Sequence, residues 1–224
     1  MGEAWFRATL PPALDEVLDL SFVDPTNADT IDGVIAEVHA AGLEHDRTYV
    51  FGHSAQGLLA MAYAAAHPQR TTGAIVVGTP PRMPLPTDVL RANWDQHAEP
   101  ARRARADADP TRLDGLARWY DIDFDPSDVD ALANDIGAWV LKVNVQASAA
   151  HDWDATRRRI TCPVLRIMGG SDYLVPPLLW DGDTSLDHTV CTTVVLPKSG
   201  HQPFHDEPDA FVAAVRAFVE TAAR

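Results

Sequence analysis

The run Tyr49-Val50-Phe51-Gly52-His53-Ser54-Ala55-Gln56-Gly57 constrains the fold more than any other part of the chain. An aromatic and β-branched stretch reads as a strand and runs into a glycine. Ser54 follows one residue later, and an Ala- and Leu-rich helix from Ala55 to His67 starts at once, ended by Pro68. A strand that turns this sharply into a helix lifts a serine hydroxyl to the top of a sheet, and small neighbours let strand and helix approach closely. The serine then sits at a helix N-terminus, where the dipole and the free N–H of Ala55 favour a developing oxyanion.

The rest of the chain repeats the alternation. Strands are expected at Leu18–Asp24, Thr48–Phe51, Ala74–Val77, Pro163–Met168 and Val190–Leu196. Between them, Thr30–Ala41 carries Ile31, Val34, Ile35 and Val38 at helical spacing, with Gly42 as its C-terminal cap. A last helix over Glu207–Thr221 has Phe211, Val212, Val215, Phe218 and Val219 on one face. Strands alternating with helices predict an α/β fold, a mostly parallel sheet with helices on both faces. Residues 80–154 break the pattern. They are rich in Ala, Asp, Arg and Trp and contain no convincing strand, so they read as an inserted helical cap between core segments 1–79 and 155–224. Trp94, Trp119, Trp139 and Trp153 lie in this insertion. They form either a small helical core or an apolar substrate pocket over Ser54, and the two readings are compatible.

Charge and cysteine content narrow the function. The net charge is −14 and no block of Lys and Arg stands against it. That argues against a nucleic-acid partner and against an anionic membrane surface. Two cysteines, Cys162 and Cys191, make neither a disulfide framework nor a zinc site. The first residues lack the basic and apolar segments of a signal peptide, and the longest apolar stretch, Leu58–Ala66, is too short to span a bilayer. The expected location is the cytoplasm.

Two further motifs accompany the turn. Met168-Gly169-Gly170-Ser171-Asp172 follows a β-branched strand, with Val175-Pro176 just beyond, and Ser199-Gly200-His201 follows the last strand. Pro203, Glu207, Pro208 and Phe211 continue into the final helix. With these residues the chain resembles the α/β-hydrolase family, over nearly its whole length. The order Ser54, Asp172, His201 is the family's order of nucleophile, acid and base. The resemblance implies a serine hydrolase, esterase- or proline-iminopeptidase-like, that cleaves a small ester or amide by two-step acyl transfer. It implies no cofactor, no metal and a small-molecule substrate. The chemistry needs these residue types. A serine hydroxyl requires a base to take its proton, a neutral imidazole can do so near neutral pH, and a carboxylate orients the imidazole.

Alternatives stand beside each assignment. Gly-Ser-Asp also favours a turn, so Asp172 could be a turn residue. His205 competes with His201 as base, although it lies further from the strand and beside Asp206. Pro203 between the two histidines argues against a metal pair on one helix face. His53 is read as packing under the turn, or with Trp94, Trp139 and Val175 as pocket lining. The chain also departs from the family. Gln56 stands where glycine is usual, and the loop at 24–29 is shortened. Three strands, and a His-Gly loop that gives a second oxyanion N–H, precede the family's counterpart of the helix expected at 6–17; they have no counterpart here. These departures support a second reading, an impaired relative acting as a non-enzymatic binding module. Without the third of those strands, 18–24 is expected to pair directly and in parallel with 48–51, joined by the helix at 30–41. An edge left open there would favour a homodimer.

Overall fold

A computed structural model describes residues 3–24, 28–42, 44–125, 127, 143 and 146–222. Its sheet has four parallel strands in the order β1 (Thr48–His53), β2 (Thr71–Val77), β3 (Val164–Gly169) and β4 (Cys191–Leu196). Helices α1 (Glu3–Thr9), α2 (Ile31–Ala41) and α3 (Ala55–Ala66) belong to the N-terminal half. Between β2 and β3 lie α4 (Thr87–His97), α5 (Pro100–Ala108), α6 (Leu113–Arg118) and α7 (Trp153–Arg157). After β4 come one turn, α8 (Pro203–Asp206), and the long α9 (Pro208–Ala222).

The period of two along each strand explains the layers. Ala74 and Val76 of β2 face Leu58, Met61 and Val34 of α3 and α2, while Ile75 and Val77 face Phe211, Val215 and Phe218 of α9. β3 divides likewise, with Val164 and Met168 on the first side and Leu165 and Ile167 on the second. A strand covered on both faces is apolar where both are packed, which is why Ala74–Val77 reads as a continuous run. Each large aliphatic or aromatic side chain buried this way contributes about 1.5–3 kcal/mol. Thr30 caps α2 by accepting the Gly33 N–H at 3.1 Å.

Two expectations about the N-terminal part are corrected. The helix expected at 6–17 is instead the short α1 followed by a 3-10 turn over Pro12–Glu16. Pro11 and Pro12 supply no N–H to extend α1. More important, residues 18–24 form no strand and do not pair with β1. Phe22 is held elsewhere, against Phe6 (ring centroids 6.4 Å apart) and under the Arg7 guanidinium (4.6 Å). The Asp24 carboxylate accepts the Glu3 N–H at 3.3 Å. A cavity of about 460 Å³ is lined on one side by Leu18–Asp24 and on the other by Thr48–His53, with Val34, Leu59 and Val215 from the helical layers.

Candidate active site

The turn after β1 is built as the sequence predicts. Ser54 has φ 57° and ψ −133°, the single non-glycine residue with positive φ among the described residues. Such backbone costs on the order of 1–3 kcal/mol and persists where its surroundings over-determine it. Here the Ser54 N–H donates to the Val77 carbonyl at 2.8 Å, tying the turn to β2. Two glycines make room. A Cβ on Gly52 would lie 2.4 Å from the Gln56 carbonyl oxygen, and one on Gly57 would lie 1.9 Å from Thr79 Oγ1. Close approach of strand and helix thus depends on Gly57 rather than on position 56, which explains how the turn accommodates Gln56. The N–H of Ala55 opens the first turn of α3, where backbone donors have no partner within the helix.

Asp172 and His201 meet. His201 Nδ1 lies 2.8 Å from Asp172 Oδ2, and both side chains are almost wholly buried. The other carboxylate oxygen accepts the N–H groups of Leu174 at 2.9 Å and Val175 at 2.7 Å. With Nδ1–H donated to the carboxylate, the imidazole keeps its proton there and leaves Nε2 as the basic nitrogen. The loop beneath His201 is tied to its own helix. Glu207 accepts from the Lys198 N–H (2.7 Å) and Ser199 Oγ–H (2.8 Å), and Asp206 accepts from the Gly200 N–H (2.8 Å). That gives the acidic residues after His201 a definite role.

Ser54 approaches this pair through β2. Its N–H bonds Val77, and a Cβ on the next residue, Gly78, would fall 3.0 Å from His201 Nδ1. The Ser54 hydroxyl makes no hydrogen bond among the described residues. His205 lies apart, its ring 5.0 Å from those of Trp119 and Phe124 and its Nδ1 3.4 Å from Asp206. No group of three or more His, Cys, Asp or Glu side chains suited to a metal occurs among the described residues.

The residues expected to line a pocket have different duties. His53 is fully buried, stacked on Trp5 (5.9 Å) and edge-on to Phe204 (5.2 Å), and its Nε2–H donates to the His201 carbonyl at 2.8 Å. Burial, then the neighbouring His201, holds its pKa well below the ordinary histidine value, so it is a neutral donor. Val175 is buried and serves Asp172 through its N–H. Trp94 packs edge-on against Tyr173 at 5.3 Å. Trp139 lies outside the described residues. Trp119 and Trp153 are both buried in hydrophobic clusters, which is the core reading.

Known proteins share this fold. Residues 3–214 match the alpha/beta hydrolase family. The chain belongs to that family. An esterase acting on the pimeloyl-[acyl-carrier protein] methyl ester in Pectobacterium atrosepticum is 41% identical over 61 residues, which cover 27% of this chain and only 24% of that protein. An AB hydrolase superfamily protein of Bacillus subtilis is 26% identical over 216 residues, covering 85% of this chain and 75% of the relative. The proline iminopeptidase structure from Mycobacterium smegmatis superposes with a TM-score of 0.67 at 21% identity, covering 89% of this chain and 74% of that one. At that identity the likeness shows the fold alone. The hydrolase family makes hydrolytic activity the expected chemistry, and no helix among the described residues is long and apolar enough to cross a membrane.

Proposed function

We propose that the protein is a serine hydrolase that cleaves a small ester or amide through an acyl–Ser54 intermediate. The buried Asp172–His201 pair beside the strained Ser54 turn is the observation that carries this reading. His201 Nε2 takes the proton of the Ser54 hydroxyl as its oxygen bonds the substrate carbonyl carbon. The resulting oxyanion lies at the N-terminus of α3, where the Ala55 N–H donates to it. The leaving oxygen or nitrogen departs with the proton from His201. Water then repeats the sequence and releases the acid and free Ser54. Each proton passes through His201, from Ser54 to the leaving group and then from water back to Ser54, so the scheme needs no cofactor. In the same reading, residues 80–154 are a helical cap over the site, the substrate is a small molecule and the protein acts in the cytoplasm.

Catalytic hydrogen bonds are often loose before substrate binds, which accommodates the free Ser54 hydroxyl. That free hydroxyl also favours a second reading, an impaired relative that binds without turning over. A fluorophosphonate probe separates them. The hydrolase reading expects covalent labelling of the wild-type protein at Ser54 and none of Ser54→Ala. Equal labelling of both overturns the nucleophile, and absence of labelling in the folded wild type establishes the impaired reading.

A further inference from the structure

We infer that Arg102, in α5, is a positioning residue that sets the Asp172–His201 pair through the C-terminus of α6. The inference rests on the hydrolase reading for its kinetic consequences but not for its geometry. His201 is gripped by its backbone on both sides. Its carbonyl accepts from His53, and its N–H donates to the Arg118 carbonyl at 2.6 Å. The preceding carbonyl of the same helix, Ala117, accepts the N–H of Tyr173 at 3.1 Å, one residue from Asp172. Two successive carbonyls at the end of α6 therefore hold the base and the loop of the acid at once. The fit is close, since a Cβ on Gly200 would lie 2.3 Å from the Arg118 oxygen.

A six-residue helix has little rigidity of its own, and its last carbonyls lack partners within the helix. Arg102 supplies one for Leu116 and holds the two residues that follow the helix. Its side chain is 2% exposed, and its guanidinium donates to the carbonyls of Leu116 (2.5 Å), Trp119 (2.7 Å) and Tyr120 (2.7 Å). Its Nε donates to Glu99 at 2.7 Å, which fixes the plane of the fork. The same guanidinium lies 5.5 Å over the Tyr173 ring, beside Asp172. One cation thus ties three carbonyls around the end of α6, and the two intervening carbonyls orient the catalytic pair. A lysine cannot reproduce this, because an ammonium lacks the planar fork.

The test compares Arg102→Met, Arg102→Lys and the milder Glu99→Gln with Val34→Ala, a core variant in α2 that makes no contact with α6 or Arg102. Two properties are read: the downfield proton resonance of His201 Nδ1–H bonded to Asp172, and ester hydrolysis with fluorophosphonate labelling. The expected result is a shifted or lost resonance in Arg102→Met, with kcat down on the order of 10²-fold, the cost of a misplacement of about 1 Å. KM should stay within about twofold, because the substrate contacts are untouched. Arg102→Lys should be intermediate, and added guanidinium ion at sub-denaturing concentration should restore part of the activity of Arg102→Met. Should Arg102→Met not fold, Arg102→Lys and Glu99→Gln carry the same comparison. An unchanged resonance and unchanged kcat in the Arg102 variants overturn the inference, as does an equal loss in Val34→Ala at matched thermal stability. A wild type that shows the resonance but neither labels nor hydrolyses would sink the hydrolase reading while leaving the positioning role measurable.

Discussion

Asp172→Asn isolates one atom of the proposed machinery. Asp172 Oδ1 accepts two loop N–H groups, from Leu174 and Val175, and Oδ2 faces His201 Nδ1. In the asparagine variant the amide oxygen keeps both loop bonds, so its NH2 must turn toward His201. Two donors cannot face each other, and the imidazole is driven to the tautomer protonated on Nε2. That nitrogen can no longer take the Ser54 proton. In the serine-protease triad the same exchange lowers kcat about 10⁴-fold, equivalent to roughly 5.5 kcal/mol. The expected outcome here is a fall of 10³–10⁴, on the order of that value, with KM little changed. Thermal stability should drop modestly, because the two loop hydrogen bonds survive and only the one to His201 changes, a net effect of about 1–3 kcal/mol. The assay is kcat and KM on a small chromogenic ester, with the labelling rate of Ser54 as a substrate-independent check. A loss of less than about tenfold would refute the tautomer argument. A loss as large as that of Ser54→Ala together with global unfolding would assign Asp172 a structural role instead.

Two further outcomes follow from the packing around the turn. Gly57→Ala places a methyl 1.9 Å from Thr79 Oγ1, so it should cost about 1–3 kcal/mol and lower Tm by roughly 2–12 °C, with partial recovery in the double variant with Thr79→Ala, whose Cβ stays 2.8 Å away; additive losses in calorimetry would show that the two side chains do not collide. His53 is held neutral by burial, so its folded pKa lies below the ordinary value while the unfolded chain takes up a proton normally. Stability should therefore fall as pH drops below that ordinary value, by up to about 1.4 kcal/mol per pH unit, and His53→Gln should show a shallower dependence in urea titrations between pH 7.5 and 5; an identical slope in the variant would remove His53 as the source.

The site was legible where chemistry and strand ends coincide. Ser54, Asp172 and His201 each stand just beyond a strand, and parallel strands bring their C-terminal ends to one edge of the sheet. The structure brings Asp172 to His201 and ties the Ser54 N–H to Val77 at the end of β2, the strand between them. Arg102 was not legible for a different reason. Pro100-Ala101-Arg102-Arg103-Ala104-Arg105-Ala106 carries three arginines within four residues, yet Arg102 and Ala106, one turn apart, are the buried pair. The i, i+4 spacing of an arginine and an alanine was the available signal, but choosing Arg102 over Arg103 or Arg105 requires knowing which face meets α6. His53 was legible as a packing residue, and its hydrogen bond to His201 was not, because it joins a strand end to a loop 148 residues away.

The strand expected at 18–24 failed on tertiary grounds. Its composition suits a strand, and an isolated edge would gain hydrogen bonds by pairing. Thr48 N–H and Ser54 N–H both donate toward β2, to Arg70 and Val77, so the even-numbered groups of β1 are spent there. By the alternation of a strand, the backbone groups of Tyr49, Phe51 and His53 point the other way, toward the cavity. Closing the gap would gain roughly 0.5–1.5 kcal/mol for each hydrogen bond formed. It would also drag Phe22 off Phe6 and Arg7 and pull Asp24 from the Glu3 N–H. Phe6 itself packs on Phe51 at 6.0 Å and on His53 at 6.3 Å. Moving that wall would therefore disturb the residue that donates to His201. Against those few edge hydrogen bonds stand the aromatic contacts of Trp5 and Phe6 that hold α1 on Phe51 and His53.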